Sequence, residues 1–388
     1  MIEFIRMNYL TDVVNFNADA SCLPSKNWIK IISGGKKSDF YKWLELYVTY
    51  DRRVNLGIIG ASICDIAYYC PEAIELIESN TSIFNVLTRP FSHDNALLRS
   101  RESFLVNLDC GIKVTKKYFS NVSETFLPPE FMLLSEQIPI LKEFGFSSLL
   151  VNSFRLPYFM QQKVPKIPFL VQGLKFSKLV CFPVVGSLTA AYLNAIHNYK
   201  FSEFNDLINK EDNPILWRDG ESVFLIPDGV DRERQWLKSE AIERRWVDDI
   251  DYNMLKKDDF YIYPAHSFLA WMEEFKMFGY LNKINNIEKN IKNLNLEEVL
   301  LWLQTINSDV LSSVEKKDVS IEIVNSSDKK KTNYVIQRTH RGYEGEEFLH
   351  ILEDILLNDR SYMNQFLDKL PPHAHKYIAR YKILQEVC

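Results

Sequence analysis

The sequence lacks most of the signatures that would give it an early assignment. No apolar run approaches the ~20 residues that a membrane-spanning helix requires. The N-terminal stretch Met1–Leu10 carries Glu3 and Arg6 and has no apolar core of a signal peptide. Six cysteines, Cys22, Cys64, Cys70, Cys110, Cys181 and Cys388, are scattered without a C-x-x-C pair, a spacing that suggests free thiols in a reducing compartment over a disulfide frame. These absences make a cytoplasmic protein the expectation, with no membrane partner. Basic runs are short, Lys36-Lys37, Lys116-Lys117 and Lys329–Lys331, and the net charge is −5, so nucleic acid is not the expected partner.

Motifs for several chemistries are missing too. There is no H-x-x-x-H or H-E-x-x-H for a metal, no G-x-G-x-x-G and no P-loop for phosphates. Gly60-Ala-Ser62 lacks the closing glycine of a nucleophile elbow. No cofactor or metal is expected.

What is present is a globular balance, 46% hydrophobic and 25% charged, with 13% aromatics that serve a core and could also line a sugar-binding groove. Short, nearly continuous apolar runs at 12–17, 54–62, 83–91, 124–128, 148–152, 179–184 and 222–227 read as strands buried on both faces. Helical patterns at 63–78, 99–118, 135–144 and 188–198 lie between them. Such alternation predicts an α/β fold, and seven strands suit a distorted (β/α)7 barrel. After about residue 265 helical periodicity takes over, at 267–278, 296–306, 346–357 and 361–369. A barrel over 1–265 and a mainly helical C-terminal subdomain over 266–388 are therefore expected. The polar, lysine-rich segment 313–331 reads as a hairpin or exposed loop, with 319–324 as a possible short strand within it.

In a parallel barrel, reactive groups project from the C-terminal strand ends, where the loops converge over one mouth. The predicted strand ends offer Asn17 and Asp19, then His93 and Asp94, then Glu130, then Asp228, Asp231 and Glu233. Glu130 follows Pro128 and Pro129, which lack N–H donors and stop strand pairing there. Its alternative role is a carboxylate facing a helix dipole. Asp228 precedes Gly229 and could equally be a turn residue. His266 stands at a helix start, and the polar run Arg338–Gly345 is a further candidate for contact with a site. With metals, phosphates and serine nucleophiles set aside, carboxylate chemistry remains, and paired carboxylates on facing strand ends are what glycoside hydrolysis requires.

Five segments, Leu56-Gly-Ile-Ile-Gly-Ala-Ser62, Pro71-Glu72, Pro90-Phe-Ser-His93, Phe126-Leu-Pro-Pro-Glu130 and Leu141-Lys-Glu-Phe-Gly145, resemble the N-terminal barrel of glycoside hydrolase family 57 in order and approximate spacing. The resemblance implies a (β/α)7 barrel shared with polysaccharide deacetylases and α-mannosidases, and a retaining hydrolase or transglycosidase acting on an α-linked oligo- or polysaccharide. It implies Glu130 as nucleophile and Asp228 as acid/base, with Asp231 as fallback because Asp231-Arg-Glu233 imitates the family's Asp-x-Glu pattern. Asn17, Asp19, His93, Asp94 and His266 are the expected substrate-binding residues. Two departures are visible: Asn15-Phe-Asn-Ala-Asp19 stands where the family's first strand ends in a His-Gln-Pro-type motif, and Leu127-Pro128 replaces the aromatic before the nucleophile. An inactive sugar-binding barrel and a metal-dependent deacetylase are the alternatives.

Overall fold

A computed structural model describes residues 1–7, 30–94, 96, 99–131, 133–152, 168–184, 186–211, 214–240, 242–250, 260–262, 282, 284–306, 319–324, 331–336 and 375–388. The described elements divide between two compact units. One comprises Met1–Asp12, Pro24–Ser267 and His375–Cys388, and the other Val13–Leu23 and Phe268–Ala374.

The first unit is built on one nine-stranded sheet. Its strands are β1 (Ile2–Met7), β2 (Val54–Ile58), β3 (Phe84–Thr88), β4 (Val122–Phe126), β5 (Ser148–Asn152), β6 (Phe169–Gln172), β7 (Lys178–Val184), β8 (Ile215–Asp219) and β9 (Phe260–Ile262), in the order β8-β1-β2-β3-β4-β5-β7-β6-β9. The seven from β8 to β7 run parallel, and β6 turns antiparallel against β7. Helices connect them: α1 (Asp39–Thr49), α2 (Gly60–Tyr69), α3 (Pro71–Ser79), α4 (Arg101–Tyr118), α5 (Gln137–Glu143), α6 (Gly186–Asn198), α7 (Phe201–Asn209) and α8 (Gly229–Ser239).

The parallel part is rolled. Side chains from strands far apart in the order, Phe4 of β1, Leu150 of β5, Phe182 of β7 and Ile215 of β8, share one buried cluster. The rings of Phe4 and Phe182 lie 6.1 Å apart. A second cluster fills the outer layer, where Phe126, Leu149 and Cys181 meet Phe104 and Leu108 of α4 and Ile138 and Leu141 of α5. Among the described residues no ladder joins β7 to β8, so the seven-stranded (β/α) arrangement is an open barrel.

Two strands differ from the sequence expectation. The first is Ile2–Met7, with every residue buried, not 12–17, which lies outside the described residues. The last parallel strand is Ile215–Asp219, and the expected strand at 222–227 falls on a 3-10 stretch, Gly220–Leu225. Ser222 donates its hydroxyl to the Asp219 carbonyl at 2.7 Å, a local bond that favours a turn over an extended chain. The helical pattern at 63–78 is two helices, because Pro71 opens α3 directly after Cys70 ends α2.

A charged network lies on the outer face of β1 and β8, wholly out of water. Glu3 accepts from Arg218 Nε at 2.7 Å and from Arg244 Nη1. Glu233 of α8 accepts from Tyr47 of α1 at 2.6 Å, from Tyr192 of α6 and from Arg218. Arg244 also donates to Glu240 Oε1 at 2.9 Å. Glu3, Arg218, Glu233, Glu240 and Arg244 are all buried, so each ion depends on its partners for what water would otherwise supply.

The last helix, α10 (His375–Val387), groups with this first unit although the sequence texture places it after the barrel. Its buried Arg380 grips Asp65 of α2 through two bonds, Nε to Oδ1 at 2.7 Å and Nη2 to Oδ2 at 2.6 Å. In the second unit, α9 (Leu296–Thr305) begins with a capping box between Asn295 and Glu298, and β10 (Val319–Val324) pairs antiparallel with β11 (Lys331–Ile336). The expected helices at 267–278, 346–357 and 361–369 lie outside the described residues. No helix among the described residues is long and apolar enough to cross a membrane.

The buried network makes a direct prediction. Glu3→Gln removes the charge that Arg218 and Arg244 share and lowers folding stability by about 3 kcal/mol. Urea denaturation followed by circular dichroism measures this loss.

Candidate functional site

The C-terminal ends of β3 and β4 bring His93 and Glu130 together. After β3 the chain runs through Arg89-Pro-Phe-Ser-His-Asp94 in a loop held by α4. Ser92 N–H donates to Asn107 Oδ1 at 2.8 Å, and Asn107 Nδ2 returns a bond to the Ser92 carbonyl at 3.3 Å. Gly111 lets α4 come this close, since a Cβ there would meet the backbone of Arg89, Pro90 and Phe91 within 2.6 Å. The loop thereby fixes His93, which is fully buried, with Nε2 2.9 Å from Glu130 Oε1. Asp94, also buried, accepts from Arg99 Nε at 3.0 Å. Of the two, His93 faces the carboxylate and Asp94 is engaged by Arg99.

Glu130 sits in unusual backbone. Pro128 and Pro129 end β4, and Glu130 (φ 52°, ψ 11°) and Phe131 (φ 54°) are both left-handed. Each left-handed non-glycine residue costs roughly 1–2 kcal/mol. Strain of this kind concentrates where a side chain must be aimed. The Glu130 side chain remains 12% exposed beside a wholly enclosed imidazole.

A second carboxylate projects from β8. In the β1–β8 register Phe4 lies opposite Trp217 and Arg6 opposite Asp219. Strand alternation sends Ile2, Phe4 and Arg6 to the rolled interior with Ile215, Trp217 and Asp219, while Glu3 and Arg218 join the outer network. Arg6 donates Nε to Asp219 Oδ1 and Nη2 to Asp219 Oδ2, the latter at 3.1 Å. Asp219 is 33% exposed and Arg6 10%. Glu221, two residues on, is buried.

Arg89 places a buried cation at the ends of β1 and β2. It leaves the end of β3 fully buried, and its stem passes Gly57, where a Cβ would lie 3.1 Å from Arg89 Cδ. Nη1 donates to the carbonyls of Met7 at 3.3 Å and Gly57 at 3.5 Å. Burial, and then the neighbouring Arg6, pull the Arg89 guanidinium down to about 9, against the opposing pull of Glu221, Asp219 and Glu130. Arg89 thus feels the fields of all three acids.

The other candidates are placed elsewhere. Asp228 is exposed, left-handed (φ 55°), and leads into α8 past the 3-10 turn. Asp231 is exposed on α8 and pairs with Arg234 three residues on. Glu233 belongs to the buried outer network. Asn17, Asp19, His266 and Arg338–Gly345 lie outside the described residues. Asp219, Arg6, Arg89 and Glu221 were not among the sequence candidates. The signal for two of them was visible, because Asp219-Gly220-Glu221 carries the same Asp-x-Glu spacing as Asp231-Arg-Glu233. It was hidden by placing the strand seven residues late. Among the described residues no three His, Cys, Asp or Glu side chains gather as a metal-binding group.

Comparison with solved structures places the fold. The branching enzyme of Pyrococcus horikoshii superposes with a TM-score of 0.66 at 10% identity, covering 100% of this chain and 95% of that one. The α-amylase AmyC of Thermotoga maritima gives 0.60 at 9%, covering 99% and 98%. The 4-α-glucanotransferase of Thermococcus litoralis gives 0.59 at 12%, covering 86% of this chain and 63% of that one. A comparison with proteins of curated function found no match. At these identities the likeness is one of fold. The assignment rests on the sequence itself: the model of glycosyl hydrolase family 57 matches residues 3–299, and the chain belongs to that family.

Proposed function

We propose that this protein is a retaining carbohydrate-active enzyme that cleaves or transfers an α-linked glucan, with Glu130 as nucleophile and Asp219 as acid/base. The observation that supports the reading is Arg6, which holds Asp219 and lies over the ring of Phe131, the residue after Glu130, at 5.0 Å from its centroid. The family membership and the amylase, branching-enzyme and glucanotransferase neighbours support a glucan as substrate.

In this reading the anomeric carbon binds between the two carboxyl groups, which act ~5–5.5 Å apart in a retaining enzyme. Glu130 attacks that carbon, and the bond to the leaving oxygen breaks while Asp219 hands that oxygen a proton. Asp219, now a carboxylate, takes a proton from water or an acceptor hydroxyl, whose oxygen displaces Glu130 as a carboxylate and returns Asp219 to its protonated form. His93, with Nε2 2.9 Å from Glu130 Oε1, crowds that oxygen and leaves Oε2 as the attacking one. Trp217, partly exposed and packed edge-on against the buried Phe131 at 4.9 Å, supplies aromatic surface for a sugar ring.

Two outcomes follow for reducing-end assays on amylose and maltooligosaccharides. Asp219→Asn lowers kcat by roughly 10²–10⁴-fold, the range of a positioned acid–base group, and Glu130→Gln lowers it at least as far. Asp228→Asn and Asp231→Asn leave kcat within about two-fold, as expected of exposed residues outside the reacting pair. If Asp228→Asn abolishes turnover and Asp219→Asn does not, the acid/base belongs on α8 and this reading is wrong. Products unchanged in Glu130→Gln would remove Glu130 from the nucleophile's role, whereas binding of maltooligosaccharides without turnover by the wild type would favour a sugar-binding barrel.

A further inference from the structure

The last helix brings two thiols together from opposite ends of a long stretch of chain. α10 packs against α2 and α4, with Arg380 bonded to Asp65 of α2 and Glu386 to Lys117 of α4. The Cys388 N–H donates to the Leu384 carbonyl at 2.8 Å, so the helical bonding carries on to this residue and fixes its backbone. Cys388 Sγ lies 3.7 Å from Sγ of Cys110 on α4, 278 positions earlier in the sequence. Cys110 is buried and Cys388 is exposed. The two sulfurs are also unequal in acidity. The hydrogen bond from Cys110 pulls the Cys388 thiol down to about 7, opposed by partial burial and Asp109 and helped by Lys113, which pairs with Asp109 at 2.8 Å. That same bond, and burial, push the Cys110 thiol up. Burial also raises the thiols of Cys64, Cys70 and Cys181. Cys388 is thus an accessible nucleophile with a second sulfur already beside it.

We propose that Cys110 and Cys388 form a reversible disulfide that fastens the last helix to α4, with a small-molecule disulfide such as oxidised glutathione as the oxidant. The Cys388 thiolate attacks one sulfur of that disulfide. The S–S bond breaks, and the other half leaves as a thiolate that takes up a proton. Cys110 then attacks the Cys388 sulfur and expels the second small thiolate, which takes the Cys110 proton. Two protein thiols are oxidised and one small disulfide is reduced to two thiols. Closure brings the sulfurs from 3.7 Å to the ~2.05 Å of a disulfide bond, a short approach for the exposed Cys388 side chain. A reducing thiol pool reverses both exchanges and reopens the bond. The anchor on α4 is a consequential one. Cys110 precedes Gly111, where α4 approaches the backbone of Arg89, Pro90 and Phe91. The bond therefore ties α10 to the turn of α4 that pins the loop bearing His93. The inference stands apart from the roles given to Glu130 and Asp219.

The test uses the full chain, equilibrated with oxidised and reduced glutathione in varied ratio, then alkylated, digested and mapped by mass spectrometry. The expected product under oxidising ratios is a cross-linked peptide pair containing Cys110 and Cys388, lost again on reduction. Urea denaturation of the oxidised and reduced forms reads the clamp itself. Oxidation is expected to lower the unfolded fraction at a fixed urea concentration by about 10-fold or more, because the bond closes so long a loop. Cys388→Ser, a change at an exposed position, abolishes both the cross-link and the response to oxidant. Cys110→Ser instead keeps one glutathione on Cys388, since the second exchange has no attacking sulfur. Each of three results overturns the proposal. Cys388 could stay reduced, or keep glutathione in the wild type without passing to the cross-link. The cross-link could join another pair of cysteines. The oxidised and reduced forms could unfold alike.

Discussion

The pairing of β1 with β8 is the constraint on which the site depends. These strands are separated by most of the chain, and their parallel register places Arg6 beside Asp219 and Phe4 beside Trp217. Two sets of charges hold the pairing from opposite faces. Outside, Glu3 of β1 is bonded to Arg218 of β8, and Arg218 in turn to Glu233 of α8. Inside, Arg6 grips Asp219. Because side chains alternate along a strand, a one-residue slip would send Arg218 into the barrel and Asp219 into the helical layer. The outer network therefore costs desolvation and returns a unique register, which is the use for which buried ion pairs are best attested.

The mouth of the barrel gathers acids and bases at close quarters. Glu130 is presented by a strained turn after two prolines, and His93 by a loop that α4 pins through Asn107 and Gly111. Arg89 is a fully buried cation whose protonated form is disfavoured by burial and by Arg6. Asp219 and Asp94 each meet a fixed guanidinium donor, Arg6 and Arg99, and little of their side-chain freedom remains to be lost when a sugar arrives. Stability spent on left-handed backbone at Glu130 and Phe131 is recovered in the packed clusters on both sides of the sheet.

Much of this was legible from residues alone. The central strands, 54–58, 84–88, 148–152 and 178–184, are nearly continuous apolar runs that read as buried on both faces, and the two prolines before Glu130 mark where β4 ends. The edges of the parallel set were harder. Ile2–Met7 and Ile215–Asp219 carry Glu3, Arg6, Arg218 and Asp219, charges that read as surface until their partners across the register are known. Phe224-Leu-Ile-Pro looked more like a strand than Ile215-Leu-Trp-Arg-Asp did, and that choice displaced the acid/base candidate from Asp219 to Asp228. The return of Arg380 to Asp65 is likewise a long-range pairing that no local pattern encodes. What sequence periodicity misses is ion pairing between distant segments, which here joins β1 to β8 and α10 to α2.

The most direct test of the central claim is to trap the covalent intermediate. Incubation with a fluorinated α-glucosyl fluoride, which slows the second displacement more than the first, followed by peptic digestion and mass spectrometry, locates the attached sugar. This account predicts one glucosyl adduct, on the peptide that contains Glu130. An active enzyme that carries the adduct on another carboxylate, or inverts the anomeric configuration of its product, would contradict it.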